Sequence, residues 1–338
     1  MAQRREVKEG FCLRTRDMNP AQLGRLVVYP TRMQFVLGFD GGGTKTDAVL
    51  MDGAGKVLAR SQAGPSNPLR VGFGAAIGAV REAAREAMKQ VPLQEGEPAA
   101  AICVGLAGVG PSESRQKVEA LLAAEFPHSR LQICTDLDLA LAAAGEGPAI
   151  VLLAGTGSFA VGRNAAGETA RSGGYGSQIG DEGSAYDIGR RAVLSAMHEK
   201  DRTAADSPLG KRLLRELACA DWSAVKVRAQ AASDEVFPRL FSVVAALADT
   251  DDATAQELLH SAAFDLAGIA ENLVDRLAMR ETRFLLAKTG GMMGRSKFLE
   301  SRLDERLQSL FPEATLGSLR MTPAEAAARL ALKMLAPT

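Results

Sequence analysis

One pattern occurs twice in this chain and constrains its fold more than any other feature. An apolar run, a turn rich in Gly, Thr or Ser and a returning run stand at residues 35–50 (FVLGFD, GGGTKT, DAVL) and again at residues 149–163 (AIVLLAG, TGS, FAVGR). A unit repeated inside one chain predicts two similar bodies, each burying its own apolar face. Length agrees: at 338 residues a single core stops growing, so two domains with a ligand-sized cleft are expected.

Charge then narrows the partners. Forty Lys and Arg balance forty Asp and Glu, which leaves no long-range field to gather nucleic acid or an anionic membrane. The longest apolar stretches, residues 99–109 and 149–154, fall well short of the roughly 20 residues that span a bilayer. Cys12, Cys103, Cys134 and Cys219 form no CxxC pair, so neither a zinc site nor a disulfide framework is indicated, and a reducing cytoplasm is the expected location. The first 32 residues carry Arg4, Arg5, Lys8, Arg14, Arg16, Arg25 and Arg32 without periodicity. They are expected to be a disordered appendage or to lie upstream of a working start at Met33, with an Arg-rich transit segment left open. The body divides into residues 33–145 with 322–338, and residues 146–321.

Along that body, three strand-like runs from Phe35 read as an antiparallel meander. Phe73, Ile77, Val80, Ala84, Ala87 and Val91 recur at helical spacing, and the buried run AAAICVGLAG follows. A helix opened by Pro111 and Ser112, a strand at residues 131–134 and a short helix over Leu137 to Ala144 close the first half. After the second hairpin, Ala185, Ile188, Ala192, Val193 and Ala196 share a helical face, and a long helical region runs from about Ser207 to Leu277. A strand at residues 284–289 precedes GGMMG and another helix. A last helix begins at Thr322-Pro323-Ala324-Glu325, a capping box with Pro at the first helical position. The fold class is α/β.

The first chemical candidate is Asp40 followed by Gly41, Gly42, Gly43, Thr44, Lys45 and Thr46. Three glycines allow successive backbone N–H groups to face one point and bind an anion, most simply phosphate. The spacing misses the Walker A loop by one residue and does not match GxGxxG. The plain structural alternative is a tight hairpin without ligand. A carboxylate at Asp40 beside a phosphate calls for a cation between them, which points to Mg2+, directly or through water; otherwise Asp40 merely starts the turn. Gly155, Thr156, Gly157 and Ser158 form the matching turn of the second unit, and two facing hairpins would grip one polyphosphate.

GFDGGGTKTDAVL, SNP, ICTDLDLALAAA, LLAGTGS, SGGYGSQIGDEGSAYDIGRRAV and TGGMMG together resemble the BadF/BadG/BcrA/BcrD group of the actin–hexokinase–Hsp70 ATPase superfamily, and within it the N-acetylglucosamine kinases. The resemblance runs from about Met33 to the C-terminus. It implies two ribonuclease-H-like domains with ATP and Mg2+ at a hinge cleft, a sugar hydroxyl as phosphoryl acceptor and, by analogy, a homodimer. It places Asp136 as the base on the acceptor hydroxyl, with a helix N-cap as the plain alternative and Asp138 as competitor. Asn67, Ser158, Gly174 and Asp181 fall on the sugar, with Gly173 and Glu182 beside them. For Asn67 the alternative is an Asn-Pro turn, and for Asp181 a helix cap. Gly290, Gly291 and Met292 fall under adenosine, unless the methionines fill core gaps. Thr135 stands where members often have Asn, and Phe159 where some N-acetylglucosamine kinases place a sugar-binding Asn. The resemblance therefore implies phosphorylation of the 6-hydroxyl of N-acetylglucosamine or glucosamine, with N-acetylmuramic acid a further candidate. Other relatives are ATP-driven activators of acyl-CoA dehydratases that share an iron–sulfur cluster across a dimer, which requires exposed cysteines. A sugar sensor without catalysis is a third reading.

Overall fold

The computed structural model describes residues 34–93, 97–110 and 112–336; the expected N-terminal appendage and Cys12 lie outside them. The described chain divides into two compact units, one ending at Ile133 and resuming at Ala327, the other spanning Cys134–Ala326.

In the first unit, β1 (Phe35–Gly41) is apolar on both faces because it is the central strand. It pairs antiparallel with β2 (Thr46–Asp52), which pairs antiparallel with β3 (Val57–Ala63). A one-turn helix α1 (Pro68–Val71) leads into α2 (Phe73–Met88). The chain then returns as β4 (Ala101–Leu106), parallel to β1, followed by α3 (Ser112–Glu125) and β5 (Arg130–Thr135). The sheet order is β3-β2-β1-β4-β5. The expected helical stripe of α2 lands on this sheet. Ile77, Val80, Ala84 and Ala87 are buried against Phe35, Leu37, Phe39 and Val104, and Phe73 and Val91 pack at the rim.

The second unit starts with α4 (Asp136–Ala144) and repeats the scheme. Strands β6 (Ala149–Ala154), β7 (Ser158–Arg163) and β8 (Thr169–Gly173) form an antiparallel meander. Helices α5 (Ala185–Thr203), α6 (Pro208–Glu216), α7 (Trp222–Ala248) and α8 (Ala253–Arg276) follow. Then β9 (Phe284–Thr289) lies parallel to β6, and α9 (Lys297–Leu310) leads to β10 (Ala314–Gly317), parallel to β9. The order β10-β9-β6-β7-β8 is the order of the first sheet, strand for strand. The architecture is thus a duplicated, ribonuclease-H-like α/β module. Finally α10 (Pro323–Lys333) carries the chain back toward the first unit, its start fixed by the Glu325 N–H donating to the Thr322 hydroxyl at 3.2 Å.

Two details depart from the pattern read along the chain. The long helical region breaks into three helices where Asp221 and Asp252 accept the Ala224 and Ala255 N–H groups, each at 2.9 Å, and so restart the helix. Strand β10 was not expected: four residues show no periodicity, and the strand exists because β9 offers it a partner edge.

Helices α5 and α7 cross at Gly189, where an added Cβ would lie 2.0 Å from the Phe237 carbonyl oxygen, while Tyr186 meets the Phe237 ring edge-on at 5.2 Å. Gly189→Ala should therefore force these helices apart, at a cost of about 1–3 kcal/mol from overpacking. A thermal melt checks it: the variant is expected to melt below the wild type.

Candidate active site

The first hairpin turn is tied down by its neighbours. The Gly42 N–H closes the turn on the Lys45 carbonyl at 2.9 Å, and the Gly42 carbonyl accepts the Ser66 and Asn67 N–H groups at 3.0 and 3.1 Å. Buried Thr46 hydrogen-bonds the Gly64 carbonyl and the Ser66 hydroxyl, each at 2.7 Å. Gly41 is required for space rather than for handedness, whereas a Cβ on Gly42 would meet only the Lys45 carbonyl oxygen at 3.8 Å. None of Gly41, Gly42 and Gly43 has a left-handed φ, so the alternating conformation of an anion nest is not the reason for them. A Cβ at Gly41 would lie 2.1 Å from the Ser66 Oγ and 2.4 Å from Leu106; one at Gly43 would lie 2.7 Å from a guanidinium nitrogen of Arg70. Lys45, meanwhile, is paired with Asp47 at 2.7 Å. The cation resting against the turn is therefore Arg70, on a helix too short for its sequence to announce.

Asp40 lies at the end of β1, opposite Asp47 on β2. No group of three or more His, Cys, Asp or Glu able to hold a metal gathers among the described residues. Asn67 is the N-cap of α1, its Oδ1 accepting the Leu69 N–H at 3.0 Å, which leaves its amide nitrogen for other work.

In the second unit, three separately read motifs converge. The turn Gly155–Gly157 offers the Gly155 and Thr156 carbonyls to the Ala185 and Tyr186 N–H groups at the start of α5, at 2.9 and 3.3 Å. Its other face meets Asp181: a Cβ on Gly157 would lie 2.7 Å from an Asp181 carboxylate oxygen. Asp181 is buried, adopts φ +62°, and accepts backbone N–H groups of Ser158 and Gly176. Burial pushes its carboxyl above the usual carboxylate range; those two amides oppose the shift, the neighbouring Glu182 adds to it, and Arg171 opposes it. Gly290 reaches the same turn from β9: with φ +107°, its Cβ would lie 2.3 Å from the Ala154 carbonyl oxygen, and the Met292 N–H donates to that oxygen at 3.1 Å.

Two expected ligand contacts are corrected by this packing. Ser158 is fully buried and donates its hydroxyl to the Glu182 carbonyl at 2.7 Å, so it holds the Asp181 loop instead of touching sugar. Met292 is 1% exposed and belongs to the hydrophobic core of the unit, so it fills core volume instead of facing adenosine; exposed Gly291 is the accessible residue of that loop.

The start of α4 separates two neighbouring carboxylates. Thr135 is the N-cap, and with Asp138 it forms a capping box in which the Asp138 N–H donates to the Thr135 hydroxyl at 3.1 Å and the Thr135 N–H to the Asp138 carboxylate at 2.9 Å. Asp138 is therefore occupied. Asp136, half-buried at the first helical position, accepts only near amides, with Leu137 N–H at 3.1 Å. Burial raises its carboxyl above the ordinary value, backbone amides and the charge of Arg171 pull the other way, and Asp138 adds to the rise. A half-buried carboxylate with elevated proton affinity, set at a strand-to-helix junction, can accept a proton from an alcohol.

A family model for the BadF/BadG/BcrA/BcrD ATPase family matches residues 37–327. The chain belongs to that family. An N-acetylmuramic acid/N-acetylglucosamine kinase of Clostridium acetobutylicum is 28% identical to this BadF-family chain over 308 residues, 85% of the chain and 95% of that relative. An N-acetyl-D-glucosamine kinase of Dictyostelium discoideum is 28% identical over 312 residues, covering 88% and 98%. The solved structure of a candidate N-acetylglucosamine kinase from Chromobacterium violaceum superposes with a TM-score of 0.74 at 28% identity, covering 89% of this chain and 99% of that one. Among the described residues of this family member, no helix is long and apolar enough to cross a membrane.

The raised proton affinity of Asp136 carries a signed consequence. Its folded-state value exceeds the unfolded one, so the ionised group costs stability above that value and the cost disappears as pH falls through it. Asp136→Asn, which keeps the acceptor for Leu137, should therefore raise the melting temperature near neutral pH. Melting curves at neutral and acidic pH check this, with the gain shrinking on acidification.

Proposed function

We propose that this protein is an ATP-dependent amino-sugar kinase that transfers the γ-phosphoryl group of ATP to the 6-hydroxyl of N-acetylglucosamine or glucosamine. One observation carries the reading: of the two aspartates that open α4, Asp138 is used by the helix cap while half-buried Asp136 is left with raised proton affinity. Asp136 takes the hydroxyl proton, the sugar oxygen bonds to the γ-phosphorus, the bond to the β-phosphate oxygen breaks, and ADP leaves. In the first unit, Gly41, Gly42, Gly43, Thr44 and Lys45 form the phosphate turn, with Arg70 supplying the charge that Lys45 shares with Asp47. In the second, Gly155, Thr156 and Gly157 contact phosphate, Gly290 and Gly291 contact adenosine, and Gly174 and Asp181 contact the sugar.

Magnesium would arrive with the nucleotide and neutralise phosphate charge. Asp40 fits an outer role toward it, since Mg2+ keeps most of its ligands as water and phosphate oxygen and needs only one or two carboxylates. The activator reading is disfavoured by burial: Cys103 and Cys134 are 0% and 5% exposed, out of reach of a cluster bridging two chains.

Glucosamine stands beside N-acetylglucosamine because Phe159, half-buried beneath the Arg171 guanidinium, offers no hydrogen bond to an acetamido group. Coupled ADP release with N-acetylglucosamine, glucosamine and N-acetylmuramic acid at equal concentration tests the reading. Turnover with at least one is expected, and silence with all three would overturn it.

Charge at the phosphate turn gives a second measurement. Arg70→Met should raise the KM for ATP about tenfold, the scale of a lost hydrogen bond to a charged group, and Lys45→Met should raise it less. A larger effect of Lys45→Met would return the role to Lys45, and equal effects would divide it between the two.

A further inference from the structure

We propose that Arg171 is a positioning residue for phosphoryl transfer: laid on Phe159, its guanidinium fixes the Gly173–Gly174 bend that leads to Asp181 and holds a positive charge toward the carboxylates of the acceptor side. The proposal rests on the kinase reading for its meaning and on the second unit alone for its geometry.

Arg171 lies on β8, the edge strand of its sheet, opposite Val161 of β7, and its side chain reaches diagonally over Phe159, with the guanidinium carbon 5.6 Å from the ring centroid. From there its Nε donates to the Gly173 carbonyl at 3.1 Å and an Nη donates to the Gly174 carbonyl. One planar fork thus grips two successive carbonyls, which an ammonium cannot match. Both glycines are left-handed, with φ +72° and +70°, and a Cβ on Gly174 would lie 2.2 Å from that Arg171 nitrogen and 3.0 Å from the Phe159 Cβ. The bend requires glycine for the chain and arginine for its carbonyls. Two residues on, the Gly176 N–H is one of the donors that hold the Asp181 carboxylate.

The charge matters as well as the fork. The groups facing Asp136 are Arg171 from β8 and Asp138 from its own helix; those facing Asp181 are Arg171 and Glu182. Arg171 is the cation common to both sets, and it favours the ionised form of each carboxylate against the burial that opposes it. Without it, Asp136 would hold its proton to higher pH and would be unready as a base over more of the neutral range.

The test compares the full chain with Arg171→Met and Arg171→Lys. Arg171→Met should lower kcat about tenfold to a hundredfold, the scale of a misplaced catalytic group, raise the KM for the sugar and move the acid limb of the kcat profile to higher pH. Arg171→Lys keeps the charge and loses the fork, so its acid limb should stay near that of the wild type while kcat still falls. A second measurement needs no turnover. The loss of melting temperature in Arg171→Met should be larger near neutral pH, where the carboxylates are charged, than under acid, where they are protonated. A wild-type acid limb in Arg171→Met, an equal shift in both variants, or a melting loss independent of pH would each overturn the proposal. Wild-type silence toward every sugar would instead overturn the kinase reading, and the melting comparison would still decide the place of Arg171.

Discussion

The turn and loop that open α5 in the second unit depend on one contact, the Asp181 carboxylate seated against the Cα of Gly157. Any side chain at residue 157 would occupy the place of that carboxylate. In its seat the carboxylate collects the Ser158 and Gly176 amides, and the Ser158 hydroxyl holds the Glu182 carbonyl from the other direction. The hairpin, the Gly174–Gly183 loop and the start of α5 are thereby made into one rigid piece. The left-handed backbone of Asp181 is strain that this piece maintains, which is usual where a loop must hold a site instead of merely linking elements, while Gly183 adopts its positive φ freely.

Asp136 and Asp138 show how position on a helix assigns chemistry to identical side chains. Both stand in the first turn of α4, where exposed backbone amides favour a negative charge. Asp138, at the third position, reaches back to the Thr135 N–H and becomes part of the cap. Asp136, at the first position, cannot reach back, so it retains free lone pairs and takes the cost of burial as higher proton affinity. Thr135, which departs from the Asn that the resemblance would place here, still serves the cap, because a hydroxyl can accept the Asp138 N–H.

Much of this was legible in the residues because it is local. The duplicated strand–turn–strand unit, the buried stripe of α2 and the Thr322 cap all follow from spacing and side-chain type within a few residues. What escaped is set by distant contacts. Ser158 and Met292 stand in motifs that look like ligand loops, yet burial against residues more than twenty positions away commits them to structure. Arg70 and Arg171 gave no signal at all, since a single arginine in a loop or an edge strand is indistinguishable from a solubilising charge until Gly43 and Phe159 are found beneath them.

The two copies of the module have diverged in charge while keeping their topology. In the first, neutral groups secure the hairpin, with Thr46 on Ser66 and backbone amides on the Gly42 carbonyl, and the Arg70 guanidinium lies against Gly43. In the second, a carboxylate secures it, and Arg171 and Glu182 stand around that carboxylate. A hairpin with a cation beside it suits an anionic ligand. A hairpin with a buried carboxylate beside it, its charge only partly offset, favours hydrogen-bond donors over anions on that face, and hydroxyl groups are donors. The side chains that anchor each turn, more than the glycines within it, thus set the charge that a ligand would meet there.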